Sequence, residues 1–207
     1  MPPMAPAVTT TRDKILASAS AEFLAHGFSG ASLRKIAAGA GVTTGALYKH
    51  FADKADLFDV LVAPCFHNFI AMFQRASDKF IGELDEQGMD WSSSEQNLLE
   101  WTAYIYDHLD TFKLLLASAE KTSYESFVHM LIDMEVEATL EYLAAARSKG
   151  HFINENISRE EIHMLVNAQF SVFFEMVLHD IPREQAMLHT KSIYRFFAAG
   201  WREFFIG

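Results

Sequence analysis

A chain of 207 residues, half of them apolar, is long enough for one or two domains and too rich in core-forming side chains to be disordered. Its formal charge of −10 is unevenly spread. Residues 1–55 carry six basic and three acidic side chains, net +3, while the remainder holds 11 of the 17 basic and 24 of the 27 acidic ones, net −13. One cysteine, Cys65, excludes an internal disulfide framework, fits a reducing cytoplasm and is expected to be a small buried residue. The longest uncharged run, Val60 to Gln74, contains Pro64, His67 and Asn68 and is too short and polar to span a bilayer, so no membrane partner is expected.

Residues 1–10 hold three of the five prolines and no periodicity, and they read as a mobile tail with no secretory pattern. Thr10 or Thr11 can cap a first helix, in which Ile15, Ala19 and Phe23 recur every four residues with Leu16 and Leu24 beside them. Gly27 supplies the left-handed residue that ends it. Ser32 caps a second helix with Leu33, Ile36, Ala37 and Ala40 facing inward, and small Ala37 and Ala38 allow a close helix crossing. Gly41 makes a sharp turn, Val42 plugs the core and Thr43 caps a third helix. There Leu47 and Phe51 share the buried face, with Gly45 and Lys49 nearly opposite and Thr44 and Tyr48 on the flank. A hydroxyl, a side-chain-free approach, a phenol and a cation suit a major groove: Thr44 for base edges or methyls, Gly45 for close contact, Tyr48 and Lys49 for phosphates. Lys54, opening the next helix, can reach the backbone as well.

The stretch Ile15–Phe28, then Ser32–Val42 followed by Gly45-Ala-Leu47-Tyr48-Lys-His50-Phe51, then Asp53-Lys54-Ala-Asp-Leu57, resembles the DNA-binding domain of the tetracycline-repressor (TetR) family, with matching residue types in order over about 45 residues. The resemblance implies that Ser32, Thr43, Thr44, Gly45, Tyr48, Lys49 and Lys54 contact an operator, with Arg12 and Arg34 adding phosphate contacts and His50 supporting the helix. Alternatives stay open: Thr43 is equally well only a cap, Lys35 a solvated charge, and the whole segment a plain three-helix bundle.

Beyond Asp53, few breakers imply long helices. Asp53 caps a fourth helix to about Gly82, with Pro64 inside it either as a bend that passes motion or as a fit around the core. Gly88–Ser94 is a loop. A helix with Leu98, Trp101, Ile105 and Leu109 on one side and a short one around Phe112–Ser118 follow. Thr122 or Ser123 then opens a helix to Lys149, closed by Gly150. On it Glu135 points inward among apolar residues, where a carboxylate needs a partner. We expect it either to line a ligand cavity, with Tyr124 or His129, or to sit in an internal ion pair or at a partly solvated edge. Ser158 and Glu161 make a capping box for a helix to His179, and Pro182 opens the last, to Phe205. Val166, Phe170, Phe173, Phe174 and Val177, then Ile193, Tyr194, Phe197, Trp201, Phe204 and Phe205, leave apolar surface for a second chain; in the resembled family this pair forms a four-helix dimer interface, and monomeric packing is the alternative.

His129 and Asp133, four apart, could hold two metal ligands, but no third is placed, and no metal or cofactor is expected. No GxSxG, P-loop, HExxH or dinucleotide turn occurs, so an enzyme is not expected. The sequence therefore reads as all-α, about nine helices: tail 1–10, helix-turn-helix domain 11–52, ligand-binding and dimerisation domain 53–207. The expected function is a cytoplasmic homodimeric regulator, a repressor on a palindromic double-stranded DNA operator, released by a largely apolar or aromatic small-molecule inducer framed by Trp101, Tyr104, Phe127, Glu135 and Phe170. The competing reading is an acidic helical dimer that acts as a protein-interaction module without operator binding.

Overall fold

The computed structural model describes residues 10–82, 92–154 and 156–206. Among them the chain is all-helical, in nine helices: α1 (Thr11–Gly30), α2 (Leu33–Gly39), α3 (Thr44–Leu47), α4 (Lys54–Gly82), α5 (Ser92–Asp107), α6 (Leu109–Ala117), α7 (Phe127–Ser148), α8 (Arg159–Leu178) and α9 (Arg183–Ile206). The expected tail lies outside the described residues except Thr10, which caps α1 in a reciprocal box with Asp13. Of the expected Gly88–Ser94 loop, residues 88–91 also lie outside, and α5 starts at Ser92.

The chain forms two compact units, Met1–Pro64 with Lys113–Glu125, and Cys65–Phe112 with Ser126–Gly207. The unit that holds the helix-turn-helix is thus larger than segment 11–52. Its core is the stripe Ile15, Ala19 and Phe23 of α1, meeting Ile36, Ala37, Leu47 and Phe51, all at most 2% exposed. Phe23 and Phe28 both set their rings edge-on to Phe58 of α4, at 5.1 and 5.5 Å. Residues 113–125 belong here because the Phe28 amide donates to the Ser118 carbonyl at 3.0 Å. Gly27 breaks α1 at φ +66°, and a further turn carries the chain to Gly30.

Two local expectations are corrected. Val42 is half-buried rather than a core plug, because it lies just past the Gly41 turn, its amide donating to the Ala37 carbonyl at 2.9 Å. The close approach to α1 is made by Gly39, not Ala38, which is exposed: a Cβ on Gly39 would stand 2.4 Å from Ser18 Oγ, itself bonded to the Ile36 carbonyl at 2.9 Å.

The second unit packs α5 on α9, α7 on α8 and α8 on α9. Thr102 and Thr190, both buried, bring their hydroxyls within 2.8 Å of each other across α5 and α9. The helix expected to open at Thr122 starts at Phe127. Thr122 Oγ1 instead donates to the Ala119 carbonyl at 2.6 Å and accepts from the Tyr124 amide at 3.1 Å, a hydroxyl turn that competes with helix. Contrary to expectation, α4 is long and apolar enough by composition to cross a membrane over Lys54–Lys79. Leu57, Phe58, Val62, Phe69 and Phe73 nevertheless bury one stripe of it in protein, which makes it a core helix.

Candidate nucleic-acid interface and cavity

Three caps and turns place the candidate DNA-facing residues. Ser32 Oγ accepts from the Lys35 amide at 3.4 Å, and its own amide donates to Glu22 Oε1 at 3.1 Å, which fixes the start of α2. Gly41, at φ +71°, turns the chain, and Thr43 Oγ1 accepts from the Ala46 amide at 3.1 Å to start α3. The helical turn continues to Phe51, whose amide donates to the Leu47 carbonyl at 3.1 Å. With Leu47 and Phe51 buried, Thr43, Gly45, Tyr48 and Lys49 are exposed and Thr44 is half-buried. Lys54 lies apart from this group in role: its Nζ donates to the Ser29 and Ala31 carbonyls at 3.3 and 3.2 Å and stands 4.8 Å over the Phe28 ring. It neutralises the carbonyl end of α1 and keeps one N–H to spare. Arg12 sits 5.4 Å over the Phe51 ring. Lys14, Arg34, Lys35 and Lys49 are exposed and make no ion pair among the described residues. By contrast Arg159 and Arg183 in the second unit are bonded to Glu137 and Asp107.

Residues 15–61 match the family model of bacterial regulatory proteins of the tetR family. The transcriptional repressor BepR of Brucella suis is 46% identical over 52 residues, so the match spans only 25% of either chain. The probable transcriptional regulator YttP of Bacillus subtilis is 27% identical over 141 residues, 65% of this chain and 68% of its own. The solved structure of the ketosteroid transcriptional regulator KstR2 of Mycobacterium tuberculosis superposes with a TM-score of 0.63 at 16% identity, covering 93% of this chain and 97% of that one. The segment 15–61 belongs to the tetR family of bacterial regulatory proteins. The sequence likeness is concentrated in the helix-turn-helix unit, and over the rest what is shared with KstR2 is the fold.

The second unit contains a cavity of about 140 Å³. Of the five residues expected to frame one, Trp101 and Glu135 line it. Tyr104, Phe127 and Phe170 do not line this cavity, because each is consumed by ring packing: Tyr104 on Phe69, Phe127 on Phe174, Phe170 on Phe73 and Phe174. Tyr104 also donates to the Cys65 carbonyl at 3.3 Å, and burial pushes its hydroxyl up to about 12 and the Cys65 thiol up to about 11. Tyr124, expected beside Glu135, donates instead to Asp59, and both of these lie in the first unit. His129 lines an open groove with Asp133, and no metal cluster occurs among the described residues.

The remaining cavity wall comes largely from residues expected at a subunit interface. Ile193, Tyr194, Phe197, Trp201 and Phe205 of α9 line the cavity. Val166, Phe170, Phe173, Phe174 and Val177 of α8 are buried within the chain. The large apolar side chains left exposed on the last two helices are others: Met164, Leu165, Val172 and Leu178 on α8, Leu188, Phe196 and Ile206 on α9. Leu188 and Phe196 are eight apart and share a face with Ser192 between them, the helical spacing that could have found them.

Proposed function

We propose that this protein is a one-component transcriptional regulator: a homodimer that represses from a palindromic operator in the cytoplasm and lets go when a small molecule fills the second unit's cavity. The observation that carries this is the α3 segment. A glycine turn and two hydroxyl caps present Thr43, Gly45, Tyr48 and Lys49 to solvent, in a head, residues 1–55, of net charge +3 whose exposed Lys14, Lys35 and Lys49 make no ion pair among the described residues. In this reading Thr44 and Gly45 meet base edges, while Ser32, Thr43, Tyr48, Lys49 and the spare N–H of Lys54 hold phosphates. Repressor relatives such as BepR support the sign of regulation. The exposed apolar side chains of α8 and α9 support dimerisation, which would let two α3 segments read two half-sites. An inducer must bind the DNA-incompetent state better; a hundredfold release needs about 2.7 kcal/mol of that difference.

The test is retention of DNA from upstream of the protein's own gene as salt is raised. Tight binding with a steep salt dependence is expected, and Lys49→Ala should flatten the slope of log affinity against log salt by about 1. Weak, sequence-blind binding there and in a random-sequence selection would replace this reading with the interaction module.

Two glycines separate fold from recognition. Gly41 has φ +71°, and a methyl added there would meet only open space, so Gly41→Ala is expected to cost about 1–2 kcal/mol of stability through backbone strain alone. Gly45 has no positive φ, and a Cβ there would meet only Thr43 Oγ1 at 3.9 Å. The fold does not require glycine at 45, so Gly45→Ala should stabilise by about 0.5–1 kcal/mol. In the same protein it should weaken operator binding, since the methyl points into the space DNA would occupy. Urea melts alongside DNA retention check both; undiminished operator binding by Gly45→Ala would remove Gly45 from the interface.

A further inference from the structure

Among the residues that line the cavity Glu135 alone is a carboxylic acid; the others are aromatic, aliphatic or neutral polar, with Asn97, Thr139 and Gln169 among the last. Among the described residues no Lys, Arg or His lines the space, and none hydrogen-bonds or pairs with the Glu135 carboxyl. Glu135 is half-buried and lines the cavity, and burial pushes its carboxyl up to about 7. A carboxyl in that position is costly until something arrives to satisfy it. The walls around it are held still. Trp201 donates from Nε1 to Gln169 Oε1 at 2.8 Å and stacks on Phe205 at 5.1 Å; Trp101 stacks on Phe73 at 5.0 Å. Fixed indoles attract cations through their ring quadrupoles, more strongly when water is excluded.

A second feature bears on charge. An open groove lined by Asp78, Asp133, Glu137 and Glu141 shares Ser77 and Ala138 with the cavity wall. Glu137 is paired with Arg159, and His129 also lines the groove. Three carboxylates remain there without an ion pair among the described residues, enough to raise the local concentration of cations beside the cavity.

We propose that the cavity takes an organic monocation, a quaternary or protonated amine on a body about one ring in size, with Glu135 as its counter-ion and Trp101 and Trp201 as its aromatic walls. The volume sets the size, since an apolar cavity of about 150 Å³ accommodates a benzene ring. This deepens the inducer reading above and rests on it only for the regulatory consequence.

The experiment compares phenyltrimethylammonium with tert-butylbenzene, which has the same shape without the charge, by quenching of tryptophan fluorescence in the full chain without DNA. The cation is expected to bind about tenfold or more tightly than its isostere. Glu135→Gln should cut that preference severalfold, leaving only what the indole faces and the acidic groove supply, and leave tert-butylbenzene unchanged. Equal affinities in the wild type, no binding by either compound, or a preference undiminished in Glu135→Gln would overturn the assignment. Should Glu135→Gln fail to fold, the wild-type comparison decides alone. Adding the cation to an operator complex then tests the regulatory reading separately: binding through Glu135 with no release leaves the cation site standing and removes the inducer role.

Discussion

Phe69→Ala is expected to lower the unfolding free energy by about 3–5 kcal/mol, a large share of the roughly 5–15 kcal/mol that a domain possesses. Phe69 is 1% exposed on α4, and its ring meets four others: Trp101 and Tyr104 of α5, Phe112 of α6 and Phe127 of α7, at centroid distances of 6.2, 6.3, 5.1 and 6.3 Å. Truncation removes the transfer energy of a buried phenyl and leaves a hole bounded by rings that are themselves packed elsewhere, so collapse is incomplete. Phe152→Ala serves as the control. Phe152 is 75% exposed and lies outside α8 and α9, and its truncation should change stability by about 0.5 kcal/mol or less. Urea denaturation followed by circular dichroism separates the two. A Phe69→Ala loss below about 1.5 kcal/mol would mean that the aromatic cluster of the second unit repacks freely.

That contrast also marks what is and is not legible in the sequence. The first unit is legible because its signals are local: a period of four at Ile15, Ala19 and Phe23, hydroxyls at Ser32 and Thr43 ahead of helical runs, and a glycine at 41. Each is fixed by backbone chemistry within a few residues, and the exposure of Tyr48 and Lys49 follows from the burial of Leu47 and Phe51. In the second unit nearly every helix is apolar on several sides, so periodicity says that a residue is inside without saying against what. Tyr104, Phe127 and Phe170 are indistinguishable in sequence from cavity-lining aromatics, and tertiary ring contacts decide the matter. Ile193, Tyr194, Phe197 and Trp201 read as leftover surface, although α9 turns them toward the cavity and leaves Leu188 and Phe196 outside. Glu135 is legible for an energetic reason: a carboxylate on an apolar stripe stands out whatever the partners turn out to be.

The double substitution Val172→Glu, Phe196→Glu is expected to convert the protein to monomers and weaken operator binding by about a hundredfold or more. Val172 and Phe196 are 45% and 74% exposed on α8 and α9, helices that pack on each other, and neither is among the buried residues that hold the second unit together. The charges should therefore leave each chain folded while repelling an identical face on a second copy, because a two-fold interface brings the same patch to both sides. Loss of the dimer removes no contact between α3 and DNA. It turns the second half-site from an intramolecular event, at millimolar effective concentration, into an independent weak one. Light scattering gives the mass, and DNA retention gives the affinity. A variant that stays dimeric would place the interface elsewhere on the chain, whereas a monomer that keeps full operator affinity would mean that one head suffices and that the operator is not read as a palindrome.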